Sequence, residues 1–142
     1  MERQNYMGLL ARASEGHLLD AVAKLPHAPK FSFLRQPEIG SVMVRARQGG
    51  TGASFNMGEM TVTRCSLRLE TGEVGHGYVQ GRATDKATKA ALVDAMMQTA
   101  NAAEIIRLVL DPLAMIETER RNSRAAKAAG TKVEFFTMAR EN

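Results

Sequence analysis

The sequence predicts an α+β fold, a mainly antiparallel sheet with helices packed on one face, forming a single domain over residues 1–142. Three observations predict it. Residues 42–47, 61–70 and 73–82 carry the period-two alternation of β-strands, and Thr71-Gly72 lies between the last two as a hairpin turn. Residues 3–25, 84–97 and 112–129 read as helices instead. No repeat, low-complexity linker or composition break divides the chain, and 142 residues fall within the roughly 100 to 200 of one domain.

Composition narrows the class. Hydrophobic residues at 44% and charged residues at 24% describe an ordinary soluble protein, and no apolar run approaches the roughly 20 residues of a membrane helix. The first five residues lead into no secretory apolar core, and Cys65, the single cysteine, cannot form an intrachain disulfide, so a cytoplasmic location is expected. A net charge of +4 suits anionic substrates or an acidic partner protein. An aromatic share of 5% and the lack of an RNP-type sequence argue against nucleic acid.

Residues 3–25 read as two short helices, with Tyr6, Leu9, Leu10 and Ala13 on one apolar stripe and Leu18, Leu19, Val22 and Leu25 on the next. Ser14 is the expected N-cap between them, and Pro26 and Pro29 end the second. His17 and His27 lack ligand companions, so no metal site is expected. Residues 31–34 read as a strand and 36–40 as a turn.

In 42–47, Val42, Val44 and Ala46 share one face and Met43, Arg45 and Arg47 the other. The strand runs into Gln48-Gly49-Gly50-Thr51-Gly52, which is either a plain loop or a set of exposed amides that, beside two guanidiniums, receives an anion. A two-residue turn at Thr71-Gly72 would pair Leu69 with Val74, Leu67 with His76, Cys65 with Tyr78, Thr63 with Gln80 and Thr61 with Arg82. Arg64, Ser66 and Arg68 would then stand beside Gly75, Gly77, Val79 and Gly81. Alternate glycines suggest a close approach by a partner surface or ligand, the alternative being a solvated, twisted face.

Thr84 or Asp85 can cap a long helix whose alanines and Leu92, Val93, Met96 and Met97 form a lid for the apolar sheet face. Residues 105–110 are a short apolar run, helix or strand, closed by Asp111-Pro112 as N-cap and first helical residue. The next helix is expected to end before Gly130, its basic second half being a solvated face or a docking stripe. Residues 131–138 read as a returning strand, with Phe135 and Phe136 suggesting burial on both faces or an interface. Nine methionines suit irregular cores and adaptable interfaces.

Common self-contained active-site motifs are missing from the sequence. The chain has no GxxxxGK[ST], GxGxxG opening a helix, HExxH or clustered cysteines, and no catalytic residue or metal ligand is assigned. In the expected register Cys65 and His76 sit two positions apart, and a buried structural cysteine is the preferred reading. Arginine forks suit phosphate, phosphonate and carboxylate groups. The candidate substrate- or partner-binding residues are Arg45, Arg47, Gly49, Gly50, Thr51, Arg64, Gln80 and Arg82.

Several strings resemble the PhnG family of the bacterial carbon-phosphorus lyase system. They are Arg47-Gln48-Gly49-Gly50-Thr51-Gly52, Thr61-Val62-Thr63-Arg64, Gly75-His76-Gly77-Tyr78-Val79-Gln80-Gly81-Arg82 and Ala91-Leu92-Val93-Asp94-Ala95-Met96-Met97-Gln98, with Val133-Glu134-Phe135-Phe136-Thr137-Met138 near the end. The resemblance is strong over residues 42–98. It implies an accessory subunit of a core complex with PhnH, PhnI and PhnJ in organic phosphonate catabolism. There a PhnI-type subunit displaces adenine from Mg-ATP by a phosphonate, giving a ribose 1-phosphonate 5-triphosphate, and a PhnJ-type subunit later performs iron-sulfur radical chemistry. This chain is then expected to hold no cofactor, Mg-ATP being substrate of the complex, and not to catalyse alone. A non-catalytic scaffold, a free-standing anion-binding enzyme and a homodimer of the isolated chain stay open beside this reading.

Overall fold

The computed structural model describes residues 1–140, with side chains to residue 131. In chain order the elements are α1 (Arg3–Arg12), α2 (Glu15–Ala23), β1 (Phe31–Arg47), β2 (Ser54–Leu69), β3 (Val74–Gln80), α3 (Thr84–Met96), α4 (Ala102–Ile105), a π-helical segment (Ile106–Leu110) and α5 (Asp111–Arg140). The strands form one antiparallel sheet in the order β1-β2-β3. The expected α+β class therefore holds.

The first two helices form where their apolar spacing predicts, burying Tyr6, Leu9 and Leu10 from α1 and Leu18, Ala21 and Val22 from α2. Ser14 caps α2, its hydroxyl accepting the His17 amide at 3.2 Å. At the other end of α1 the Ala11 carbonyl accepts from Lys86 Nζ at 2.8 Å, a cation placed on the negative end of the helix. Burial pulls the Lys86 ammonium below its ordinary range, with Glu15 pushing back.

The β2–β3 register differs by one residue from the expected one. Val62 pairs with Gln80, Arg64 with Tyr78, Cys65 with Gly77, Ser66 with His76 and Leu67 with Gly75. The cause is the loop, which takes three residues rather than two. Leu69 donates its amide to Glu73, and Gly72 closes the turn at φ +105°, the left-handed residue of a type I turn with a bulge. A shift of one moves every β3 side chain to the other face. Gly75 and Gly77 therefore look inward.

There they meet α3. A Cβ on Gly75 would overlap the Ala91 carbonyl, and one on Gly77 the Ala87 carbonyl. Ala87, Ala91 and Ala95 recur every four residues, so a ridge of small side chains lies on a strip without side chains, and backbones approach closely. The expected close approach is real, but the chain's own helix makes it. Around this seam Leu67, Leu69, Val79, Leu92, Val93, Val109 and Leu110 fill the core, each large apolar side chain contributing roughly 1.5 to 3 kcal/mol. At its polar end Thr63, also buried, donates to the Gly81 carbonyl at 2.6 Å and accepts the Ala83 amide at 3.0 Å. Ala83 is thus the N-cap residue of α3, and Thr84 and Asp85 lie inside its first turn rather than capping it.

One buried carboxylate ties three elements together. Asp94 of α3 accepts from Arg3 at 3.1 and 2.9 Å, from the Tyr6 hydroxyl at 2.7 Å and from the His76 amide at 2.9 Å. Burial pushes this carboxyl up, but Arg3, the His76 amide and the Tyr6 hydroxyl outweigh it and hold it below the usual range. Tyr6 is pushed up to about 12, by burial first and by the Asp94 bond second. Beside this contact Gln98 donates to the Val74 carbonyl at 2.7 Å.

Three further expectations are corrected. Residues 36–40 continue β1 instead of turning, because single-residue register shifts absorb Pro37 and its neighbours. Asp111 is helical rather than an N-cap. The chain is helical from Ala102 to Arg140, and the π segment just before Pro112 widens the turn where proline lacks a donor and crowds the preceding carbonyl. Last, α5 runs through Gly130 to Arg140, so the strand expected over 131–138 is absent. One glycine costs a helix about 1 kcal/mol, less than the alanine-rich run around it can carry. The expected burial of Phe135 and Phe136 lies outside the described side chains.

Candidate functional site

β1 and β2 are long and β3 is short. Since β3 reaches only from Val62 to Arg68 on β2, the opposite end of the β1–β2 hairpin continues as a two-stranded ribbon. Its turn is a short 3-10 segment, Gln48–Gly50, with Gly49 at φ +60° and Gly50 at φ +81°. The Thr51 and Gly52 amides both donate to the Gln48 carbonyl, so two of the tip's amides point into the loop. Arg45 and Arg47 are exposed and share a face as expected, with Val42, Val44 and Ala46 half-buried on the other. Met43, Phe55 and Met57 are exposed along the same ribbon.

Arg64 stands elsewhere. It lies ten residues along β2 from Ser54, the partner of Arg47, a separation of up to roughly 33 Å. One small anion cannot touch both arginines. The predicted residues thus fall into two groups, Arg45, Arg47, Gly49, Gly50 and Thr51 at the ribbon tip and Arg64, Gln80 and Arg82 near its base. Gln80 and Arg82 are exposed, and Gln80 lines a hollow with Val42, Met60, Val62 and Tyr78.

The register correction changes what surrounds Arg64. Instead of glycines, the outer sheet face carries Tyr78 beside Arg64, His76 beside Ser66 and Val74 beside Arg68. From β1 the row containing Ser66 gains Arg35 and the row containing Arg64 gains Glu38. Glu38 Oε2 lies 3.6 Å from Arg35 Nη1 and 3.9 Å from Arg64 Nε, and Ser66 Oγ lies 2.9 Å from His76 Nδ1. Sequence reasoning passed over Arg35, Ser66, His76 and Tyr78. Glu70-Thr71-Gly72 read as a three-residue loop was the signal for His76 and Tyr78, whereas Arg35 depends on the register shifts of β1.

Cys65 faces the core, its thiol donating to the Ala87 carbonyl at 3.2 Å, and burial pushes its pKa up. His76 faces outward, so the two cannot act as nucleophile and base. Among the described residues no three His, Cys, Asp or Glu side chains are grouped to hold a metal ion, and no helix is long and apolar enough to cross a membrane.

Comparison with known proteins agrees with the strings that frame this surface. The family model described as "Phosphonate metabolism protein PhnG" matches residues 1–141. The alpha-D-ribose 1-methylphosphonate 5-triphosphate synthase subunit PhnG of Rhizobium meliloti (strain 1021) is 43% identical over 140 residues, covering 98% of this chain and 89% of the relative. A match of that length takes in the ribbon, the outer sheet face and the Asp94 contact alike, and the chain belongs to the PhnG family.

Proposed function

We propose that this chain is an accessory subunit of a ribose 1-methylphosphonate 5-triphosphate synthase of the carbon-phosphorus lyase system. In the cytoplasm it would assemble with PhnH-, PhnI- and PhnJ-type partners. It supports displacement of adenine from Mg-ATP by a phosphonate, holds no cofactor itself and leaves the bond-breaking groups to its partners. The observation that carries the reading, together with the similarity to a synthase subunit, is the ribbon. Two strands alone are marginally stable in water, yet this pair extends beyond the sheet with Met43, Phe55 and Met57 exposed. Exposed methionine and phenylalanine suit an adaptable protein interface.

Phosphorus NMR of ATP and methylphosphonate, incubated with PhnH-, PhnI- and PhnL-type partners with and without this chain, tests the reading. A ribose 1-phosphonate 5-triphosphate signal that depends on the chain supports it. Equal product without the chain removes the supporting role.

A further inference from the structure

Arg35 reaches the outer sheet face because β1 is irregular there. One extra residue of β1 is inserted on each side of it, so Arg35 and Glu38, three residues apart, both stand opposite outward-facing residues, Ser66 and Arg64. In an unbroken strand they would point to opposite faces. Bulges that re-aim side chains are over-represented beside functional sites. Here they complete two adjacent rows across the sheet, Arg35–Ser66–His76 and Glu38–Arg64–Tyr78, around a hollow of about 280 Å³.

The donors in this hollow outnumber the acceptors. Two guanidiniums share one carboxylate at 3.6 and 3.9 Å, and neither makes a closer hydrogen bond among the described residues. The Ser66–His76 pair adds one more proton whichever tautomer is present. If Ser66 donates to Nδ1, the ring keeps a free Nε2–H; if Nδ1–H donates to Ser66, the hydroxyl proton is free. Two planar forks and a neutral donor on one face match a tetrahedral oxyanion, and Glu38 holds both forks beside the hollow until a stronger anion competes.

We infer that this hollow binds a phosphorus oxyanion, a phosphonate or terminal phosphate group, through Arg35, Arg64 and the Ser66–His76 pair. The identity of the anion rests on the synthase-subunit reading; the site rests on the geometry.

The test uses the full chain with nitrogen-labelled histidine, titrated at constant ionic strength with methylphosphonate in one arm and inorganic tripolyphosphate in the other. Imidazole resonances of His76 shift and saturate while those of His17 and His27 stay in place. Preference for methylphosphonate identifies the phosphonate substrate, and preference for tripolyphosphate the tail of the nucleotide. Arg35→Gln and Arg64→Gln each weaken binding by about 10-fold or more, the scale of one lost bidentate pair. Glu38→Gln tightens it, an effect that a purely structural glutamate would not produce. Arg124→Gln, which removes the same positive charge as Arg35→Gln but on α5, leaves it unaltered. Shifts that rise linearly without saturating, or an equal loss with Arg124→Gln, overturn the site. Co-purification with partner subunits is followed in parallel. If partners are retained and neither anion saturates, the inference falls and the subunit reading stands; if an anion saturates and partners are not retained, the site stands and its assignment to a synthase falls.

Discussion

The backbone amide of His76 on β3 donates to the carboxylate of Asp94 on α3 at 2.9 Å, and that carboxylate also holds Arg3 and the Tyr6 hydroxyl of α1. A single fully buried side chain therefore sets the position of two helices and a strand. Replacing it by asparagine leaves Arg3 without its counter-charge and removes an acceptor. Arg3 is half exposed, so the loss is that of buried hydrogen bonds to a charged acceptor: Asp94→Asn is expected to cost about 1 to 3 kcal/mol, read from denaturant unfolding. A loss under 1 kcal/mol would contradict the role given to this contact.

The same contact gives the protein a pH dependence at both ends. Asp94 is held below its ordinary value near 3.8, so its contribution is complete above that pH and is lost as pH falls towards the lowered folded value. Tyr6 is raised from 10.0 to about 12, so its contribution is complete below pH 10 and is lost as pH rises towards 12. Tyr6→Phe should remove the alkaline limb of the stability profile and Asp94→Asn the acid limb, and because the two groups share a hydrogen bond each change should also shrink the other limb.

Gly75 and Gly77 carry the second prediction about stability. Because a Cβ at either position would overlap a carbonyl of α3, Gly75→Ala and Gly77→Ala must push helix and sheet apart, costing about 3 kcal/mol, the upper end for overpacking. Gly40→Ala, where a Cβ meets nothing, should stay within about 0.5 kcal/mol. Unfolding midpoints of the three variants decide the matter. Equal changes at all three would mean that the approach of α3 does not explain the glycines.

The register can be checked covalently. His76 sends its amide to Asp94, so Ser66 and His76 form a non-hydrogen-bonded pair, the closer kind across an antiparallel ladder. In a Cys65→Ala background, Ser66→Cys with His76→Cys should oxidise to an intrachain disulfide, whereas Leu67→Cys with His76→Cys, on opposite faces, should not. Mass spectrometry of the unreduced protein reports the outcome; bridging of the second pair alone would restore the register expected from a two-residue turn.

The ribbon should separate folding from assembly. Phe55→Asp with Met57→Asp alters side chains that are 43% and 66% exposed, so unfolding is expected to move by under about 0.5 kcal/mol. Co-purification with partner subunits should be lost. Retained partners with both aspartates present would place the interface on another surface.

What the residues disclosed followed the range of the forces involved. The helices, the Ser14 cap and the alternation of Val42 to Arg47 depend on neighbours a few positions away, and all were legible. The face on which Arg64 and His76 meet depended on whether Glu70 joined the turn, a choice of one residue that reverses a whole strand. Asp94 was named only as one letter in a string that resembles a family, since its partners Arg3 and Tyr6 lie 91 and 88 residues away and no local pattern links them. The end of α5 was misread because alternation over 131–138 is a statement about faces, and a strand needs a neighbour to pair with, which the sequence alone did not supply.

The bonds that His76 and Val74 make to Asp94 and Gln98 have a directional consequence. They occupy a donor and an acceptor on the side of β3 turned away from β2, where another strand would otherwise pair. At the opposite margin β1 runs for 17 residues with no strand beyond it among the described residues. The sheet is therefore polar in the way it can grow: a strand contributed by a second chain can lengthen it past β1, and the side chains of Asp94 and Gln98 bar the way past β3.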